Sequence, residues 1–279
     1  MRISRLLPML VLLMSVSTAQ AFQDPGTGLD FAILAQKQIN LTNGPITING
    51  AVGVNDPGGL LKLGGINVVI NGTAIADFSI LNTGSLINGT LETNHLAGGG
   101  KATTVKPAPP LPFITPFPSV STDPCVIKAP NLNITSNTTL PSPTCAGQVT
   151  IGSGVVVTLL AGGTYNFDGV RMLKNSSLVS AGASTDIHVR TLFVTENHVV
   201  IDHVNVLASF NGNNRAIDLG KSSQVTGNLE APDAIIHIHD GNNIFGEVIG
   251  LIVTIEPSTV TVTLPSCCPT GQTCKPIGD

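Results

Sequence analysis

Short runs of Val, Ile, Leu and Thr recur along this chain, apolar positions alternating with polar ones, and many end at an Asn-Gly pair or a Gly pair. Alternation at period two is the pattern of a strand buried on one face. Three near-identical triplets, Ile48-Asn49-Gly50, Ile70-Asn71-Gly72 and Ile87-Asn88-Gly89, close such runs at intervals of 22 and 17 residues. A repeat of this length, with β-branched runs and turn residues between them, predicts a chain winding coil upon coil. Asn49, Gly50, Asn71, Gly72, Asn88 and Gly89 are expected at corners that demand positive φ, with stacked Asn amides bonding coil to coil.

The same scheme can be counted further along. Gly227 aligns with Gly246 at 19 residues, Leu219 with Ile238 at 19, and Ile238 with Ile255 at 17. Alternation then turns Ile236, Ile238, Val253 and Ile255 inward, and His237, His239, Thr254 and Glu256 outward. The expected fold class is all-β: a parallel β-helix, or β-solenoid, with coils of about 17–22 residues.

The alternation is absent at the start of the chain. Arg2 and Arg5 precede an apolar run from Leu6 to Val16 and small residues ending Ala19-Gln20-Ala21. This is the pattern of a secretory signal peptide cut after Ala21; the run is too short for a bilayer core of about 30 Å. The expected organisation is a signal peptide over 1–21, a first solenoid segment over 22–94, a Pro/Gly-rich connector over 95–124, the main β-helix over 125–264 and a Cys-containing tail over 265–279. The connector holds Gly98-Gly99-Gly100 and then Pro107, Pro109, Pro110, Pro112, Pro116, Pro118 and Pro124, a composition that cannot sit inside a sheet. It is either an extended linker or an ordered loop packed across the solenoid, for which Phe113, Ile114 and Phe117 supply an apolar side.

Composition narrows the function classes. Charged residues make up 11%, aromatics 4%, and Trp is absent. That starves a compact globular core but suits stacked coils, and the mean hydropathy of +0.34 opposes disorder. A net charge of −4 without basic clusters gives nucleic-acid binding no electrostatic support. Export makes the five cysteines disulfide candidates. Cys125 and Cys145, 20 residues apart, form the preferred pair, and Cys274 can bond Cys267 or Cys268, leaving a spare thiol for another chain.

The succession Gly162-Gly163-Thr164-Tyr165-Asn166-Phe167, Thr185-Asp186-Ile187-His188-Val189, Gly227-Asn228-Leu229-Glu230-Ala231-Pro232-Asp233-Ala234 and Phe245-Gly246-Glu247-Val248-Ile249-Gly250 resembles a bacterial exported β-helix domain. That group is loosely related to bactofilins, and many members are adhesin-like or polymer-forming. The resemblance implies a right-handed helix and a place at the cell surface. A shorter stretch, from Phe31-Ala32-Ile33-Leu34 through Asn43-Gly44-Pro45-Ile46-Thr47-Ile48-Asn49-Gly50 to Val52-Gly53-Val54, resembles the opening of the ice-binding-like adhesion domain, also a β-solenoid. That family continues into a long helix beside the solenoid. Here the Pro-rich segment intervenes, which counts against carrying the activity over.

Candidate chemistry is sparse. Val200-Ile201-Asp202-His203 resembles the V-W-I-D-H string of pectate lyases, but the Trp is replaced and no R-x-P-x-x-R string follows. The related hydrolases need paired carboxylates, and no adjacent aspartates occur. No catalytic residue and no cofactor are therefore expected. The period stacks Asp218 beside His237 and His239 beside Glu256, which makes these four the candidates for a divalent metal. Thr259, Thr261 and Thr263 face one way on a single strand, whereas ice or crystalline carbohydrate needs a two-dimensional array that neighbouring coils do not visibly continue. Sequons at Asn71, Asn88, Asn133, Asn137 and Asn175 follow from the Asn/Thr-rich composition. The function expected is an exported, non-enzymatic structural or adhesive solenoid of the cell surface or matrix. Self-association or a surface glycan would supply its partner, and a glycan- or ice-binding module is the alternative.

Overall fold

The computed structural model describes residues 30–120, 129–210, 214–257 and 259–265. The expected signal peptide, Cys125, Cys267, Cys268 and Cys274 lie outside the described residues. Among the described residues there are twenty-four strands, β1 to β24 in chain order, and no helix. They wind into a parallel β-solenoid of about 11 turns. Among the described residues no helix is long and apolar enough to cross a membrane.

The N-terminal group is β1 (Phe31–Leu41), β2 (Ile46–Asn49), β3 (Ala51–Val54), β4 (Leu60–Leu63), β5 (Val68–Asn71), β6 (Ala74–Leu81), β7 (Leu86–Gly98) and β8 (Lys101–Lys106). The second group opens with β9 (Leu132–Ile134), β10 (Thr138–Leu140), β11 (Thr144–Ile151), β12 (Val156–Leu160), β13 (Tyr165–Met172) and β14 (Ser177–Ala181). It continues with β15 (Thr185–Val189), β16 (Phe193–Thr195), β17 (Val200–Asp202), β18 (Val204–Ala208), β19 (Arg215–Leu219) and β20 (Gln224–Thr226). It closes with β21 (Leu229–Ile238), β22 (Asn243–Phe245), β23 (Val248–Ile255) and β24 (Val260–Thr263).

Each turn contributes to three parallel stacks, here face A (β3, β15, β18), face B (β4, β9, β16, β19) and face C (β2, β5, β10, β12, β14, β17, β20, β22, β24), while β1, β6, β11, β13, β21 and β23 run from face A into face B. Inward positions stack in columns. On face C, Val157, Leu178, Ile201, Val225, Ile244, Val262, Ile48, Ile70 and Ile87 lie one above another and are all buried. Such columns are the core. Each turn covers the apolar side of the next, so β-branched residues suffice where a globular core would need aromatics.

The rod does not follow chain order. Following the pairings, the stack runs from β9 and β10 at one end through to β23 and β24, then continues into β1 and β2 and ends at β7 and β8. β1 pairs with β23 on one edge and with β3 and β4 on the other, while β2 lies between β24 and β5. The two segments seen in the sequence are therefore joined edge to edge in the middle of one continuous rod. Pairing also runs through β7 and β8 as far as Lys106, into the stretch where a connector is expected from residue 95.

This order explains the proline-rich segment. Lys106 leaves one end of the stack and Leu132 enters at the other, separated by about ten coil steps of about 4.8 Å. An extended chain at about 3.3 Å per residue covers that distance easily, and proline favours extension without leaving an N–H to satisfy. Of the two readings open for this segment, packing holds over 107–120. Phe113, Ile114 and Phe117 cover an apolar patch on face A formed by Phe31, Leu34, Ala51, Ile75 and Ile249. Leu34, Ile75 and Ile249 occupy outward positions there, with Gly53 between them in the column. A side chain at Gly53 would strike the rings of Phe31 and Phe113. The strap is clamped by Asn55, whose amide donates to the Ile114 carbonyl at 2.9 Å and accepts from the Ile114 N–H at 2.8 Å.

Candidate functional site

Face C is the most regular surface of the rod, and its outward residues form two columns. One runs Thr139, Thr158, Val179, Asp202, Thr226, Phe245, Thr263, Asn49, Asn71. The other runs Val156, Ser177, Val200, Gln224, Asn243, Thr261, Thr47, Val69, Leu86, Lys101. No register shift interrupts these pairings between Thr139 and Leu86. Hydroxyls, methyls and amides therefore repeat at about 4.8 Å between strands and about 6.7 Å along each strand. Asp202 and Lys101 are the charged members of the two columns. The surface is thus a two-dimensional grid with little charge.

An amide ladder stiffens one column. Asn88 donates to Asn71 at 2.9 Å, Asn71 to Asn49 at 2.8 Å, and Asn49 to the Thr263 hydroxyl at 3.1 Å. The last bond crosses the seam between the two segments. Gly50, Gly227 and Gly246 have φ of 141°, 136° and 158°. Asn49, Asn71 and Asn88 lie within strands and lack the expected positive φ, and Gly72 and Gly89 also differ from expectation because they are not among the positive-φ glycines. Close approach accounts for them instead: a Cβ at Gly72 would run into the Gly50 carbonyl, and one at Gly89 into that of Gly72.

Sequence reading missed the grid. It saw Thr261 and Thr263 as one strand, because Thr47 and Asn49 beside them come from the other end of the chain. Period counting within the second block could have placed Asn243 beside Thr261, but nothing in sequence order announces the neighbour contributed by β2.

Face B carries the histidine cluster. Asp218 pairs in register with His237 and His237 with Thr254, as the period requires. One oxygen of Asp218 lies 3.2 Å from His237 Nδ1 and 3.0 Å from His239 Nε2. Glu256 lies 3.0 Å from His237 Nε2 and 2.6 Å from His239 Nδ1. All four candidates thus stand together. His237 points outward yet is only 4% exposed, enclosed by this ring of partners. Burial works to raise the Asp218 carboxyl, but the hydrogen bonds from His237 and Arg215 outweigh it and hold the group at about 2.

The other candidates are dispersed. Asp202 pairs with the adjacent His203 at 2.8 Å, both about half exposed. Its column neighbours are Val179 and Thr226, so no second carboxylate stands beside it in the sheet. A groove beside Gly58, Leu60, Phe78 and His95 has no carboxylate in its lining. Cys145 lies on β11 with an exposed side chain.

Fold and surface together define a β-solenoid with one regular, sparsely charged face. No protein-family model matches the chain, and no curated protein matches it. Among solved structures it is similar to an ice-binding protein from an Antarctic ascomycete, Antarctomyces psychrotrophicus, at 18% identity and a TM-score of 0.37, covering 86% of this chain and 100% of that one. It is also similar to an ice-binding protein from an Antarctic bacterium, Flavobacteriaceae, at 11% identity and a TM-score of 0.26, covering 85% and 82%. Likenesses this distant carry no functional conclusion for this chain.

Proposed function

We propose that the chain is an exported, non-enzymatic binding module whose face C docks on an ordered, repeating surface, ice first among them. The observation that carries this reading is the two-column grid in unbroken register, mostly Thr, Val, Ser and Asn, with Asp202, Gln224, Phe245, Leu86 and Lys101 as its other members. Side chains anchored on in-register strands hold their spacing without further loss of freedom on binding. Methyl and hydroxyl groups at fixed intervals can order a water layer, whereas charged groups would hold their own hydration shells. The columns place Thr47 and Thr261 side by side at the centre of the grid.

The experiment is partitioning of the mature protein into a growing ice hemisphere, together with thermal hysteresis. Wild type is expected to enter the ice. Thr47→Tyr with Thr261→Tyr should abolish entry, while Thr150→Tyr on face B should leave it intact. Exclusion of the wild type from ice, or equal loss in the face B control, would sink the reading.

A structural or adhesive role is the second reading, and one observation favours it. Leu96 pairs with Ser79 and Val105 with Leu91, so both stand at inward positions, yet they are 49% and 51% exposed because no further turn among the described residues covers β7 and β8. An uncapped solenoid end of this kind invites stacking of a second copy. Sedimentation from dilute to concentrated solution should show association that Leu96→Lys with Val105→Lys removes. A monomer throughout the range would dismiss it. A surface glycan remains a partner to be tested by the same face C variants.

A further inference from the structure

The four contacts in the face B cluster all set a ring nitrogen against a carboxylate oxygen. Ionised carboxylates only accept, and a neutral imidazole has one N–H. Each ring can therefore donate to one carboxylate and must turn a lone pair toward the other. Glu256 offers a separate oxygen to each ring, Oε1 to His237 Nε2 and Oε2 to His239 Nδ1. In the tautomers that donate both N–H groups there, rather than the one in which His237 donates to Asp218, two imidazole lone pairs and Asp218 Oδ1 converge, three acceptors facing one another. Relief requires positive charge among them. Two added protons would make cations of rings whose centroids are 4.3 Å apart; one metal ion would do the same without that repulsion.

We infer that His237 Nδ1, His239 Nε2 and Asp218 Oδ1 form a binding site for a divalent transition-metal ion of the Zn2+ type. Two imidazoles and a carboxylate suit Zn2+, Co2+, Ni2+ or Cu2+ rather than the all-oxygen preference of Ca2+ or Mg2+. A tetrahedral ion with bonds of about 2.0–2.1 Å spaces its donors about 3.3 Å apart. The separations from Asp218 Oδ1 to the two nitrogens are 3.2 and 3.0 Å, and all three ligand atoms lie within 4.8 Å of one another. Glu256 holds the far side of both rings, the carboxylate–histidine–metal arrangement that fixes tautomer and orientation. Arg215 Nη1 takes the other Asp218 oxygen at 3.0 Å and so aims Oδ1 at the rings. The side chains of His239 and Asp218 are 25% and 21% exposed, which leaves a fourth position open to water. The site lies off face C and does not depend on what that face binds.

The test uses the mature full-length chain without an affinity tag, stripped of metal, titrated with Zn2+ by calorimetry and with Co2+ by visible absorption. One equivalent is expected to bind, with the intense Co2+ bands of a tetrahedral site and a rise in Tm. His239→Gln and Asp218→Asn should each weaken Zn2+ binding by at least about tenfold, and Glu256→Gln by about tenfold, with unchanged circular dichroism. Absence of stoichiometric binding, or binding undiminished in folded His239→Gln, overturns the site. Because His237 is buried and its replacement can disturb the coil, the His239→Gln variant decides alone.

Discussion

Glu230 shows how a single side chain is governed by its column. It points outward from face A between Leu207 and Ile249, both apolar. Burial raises its carboxyl above the ordinary range, Asp186 adds to this, and a hydrogen bond from Asn228 opposes it. A raised folded-state value means that the protonated form is favoured on folding. The contribution is fully present below the ordinary carboxylate range and is lost as pH rises through the raised value. Glu230→Gln is therefore expected to raise Tm at pH 7 and to raise it less near pH 4, by thermal melts at both. An equal gain at the two pH values would show that ionisation is not the cause. Gly72 is constrained from the other side, by backbone. Gly72→Ala should cost about 1–3 kcal/mol in denaturant titration, because the Gly50 carbonyl belongs to a stacked turn that cannot shift alone.

At the scale of elements, the strap converts a liability into structure. Without it Leu34, Ile75 and Ile249 would present an apolar stripe on face A. Its hold is concentrated at the Asn55–Ile114 pair, where both bonds are buried. Asn55→Ala leaves the Ile114 N–H and carbonyl without these partners and should cost about 2–3 kcal/mol. Limited proteolysis is expected to cut within 107–120 much faster in that variant than in wild type. Unchanged cleavage would mean that Phe113 and Phe117 alone secure the strap. On face C the comparable element is the seam between β2 and β24, closed by the Asn49–Thr263 bond.

For the whole molecule, the decisive feature is that β1, the first described strand, lies in the middle of the rod. β1 is buried between strands from both groups, so neither group has a finished end at the seam. The two groups should accordingly melt together. Calorimetry is expected to show one transition; two well-separated transitions would mean that the seam is weakly coupled. Closing contacts between residues more than two hundred positions apart is entropically slow, so refolding should lag behind that of solenoids stacked in chain order.

The amino-acid sequence by itself determined the class of fold, because alternation at period two and turn residues at near-constant spacing act locally, within one coil and its successor. The pairings of Leu219 with Ile238 and Ile238 with Ile255 follow from counting, and so does the company of Asp218, His237, His239 and Glu256. Tertiary structure alone decided which coil stacks on which at the seam, since many strand edges with the same pattern could pair there and the choice depends on closing the whole rod. That choice sets Thr47 beside Thr261 and completes the face C grid. It also sends residues 107–120 across face A, because a chain whose first segment lies beyond its last coil must travel back along the rod to begin the other end.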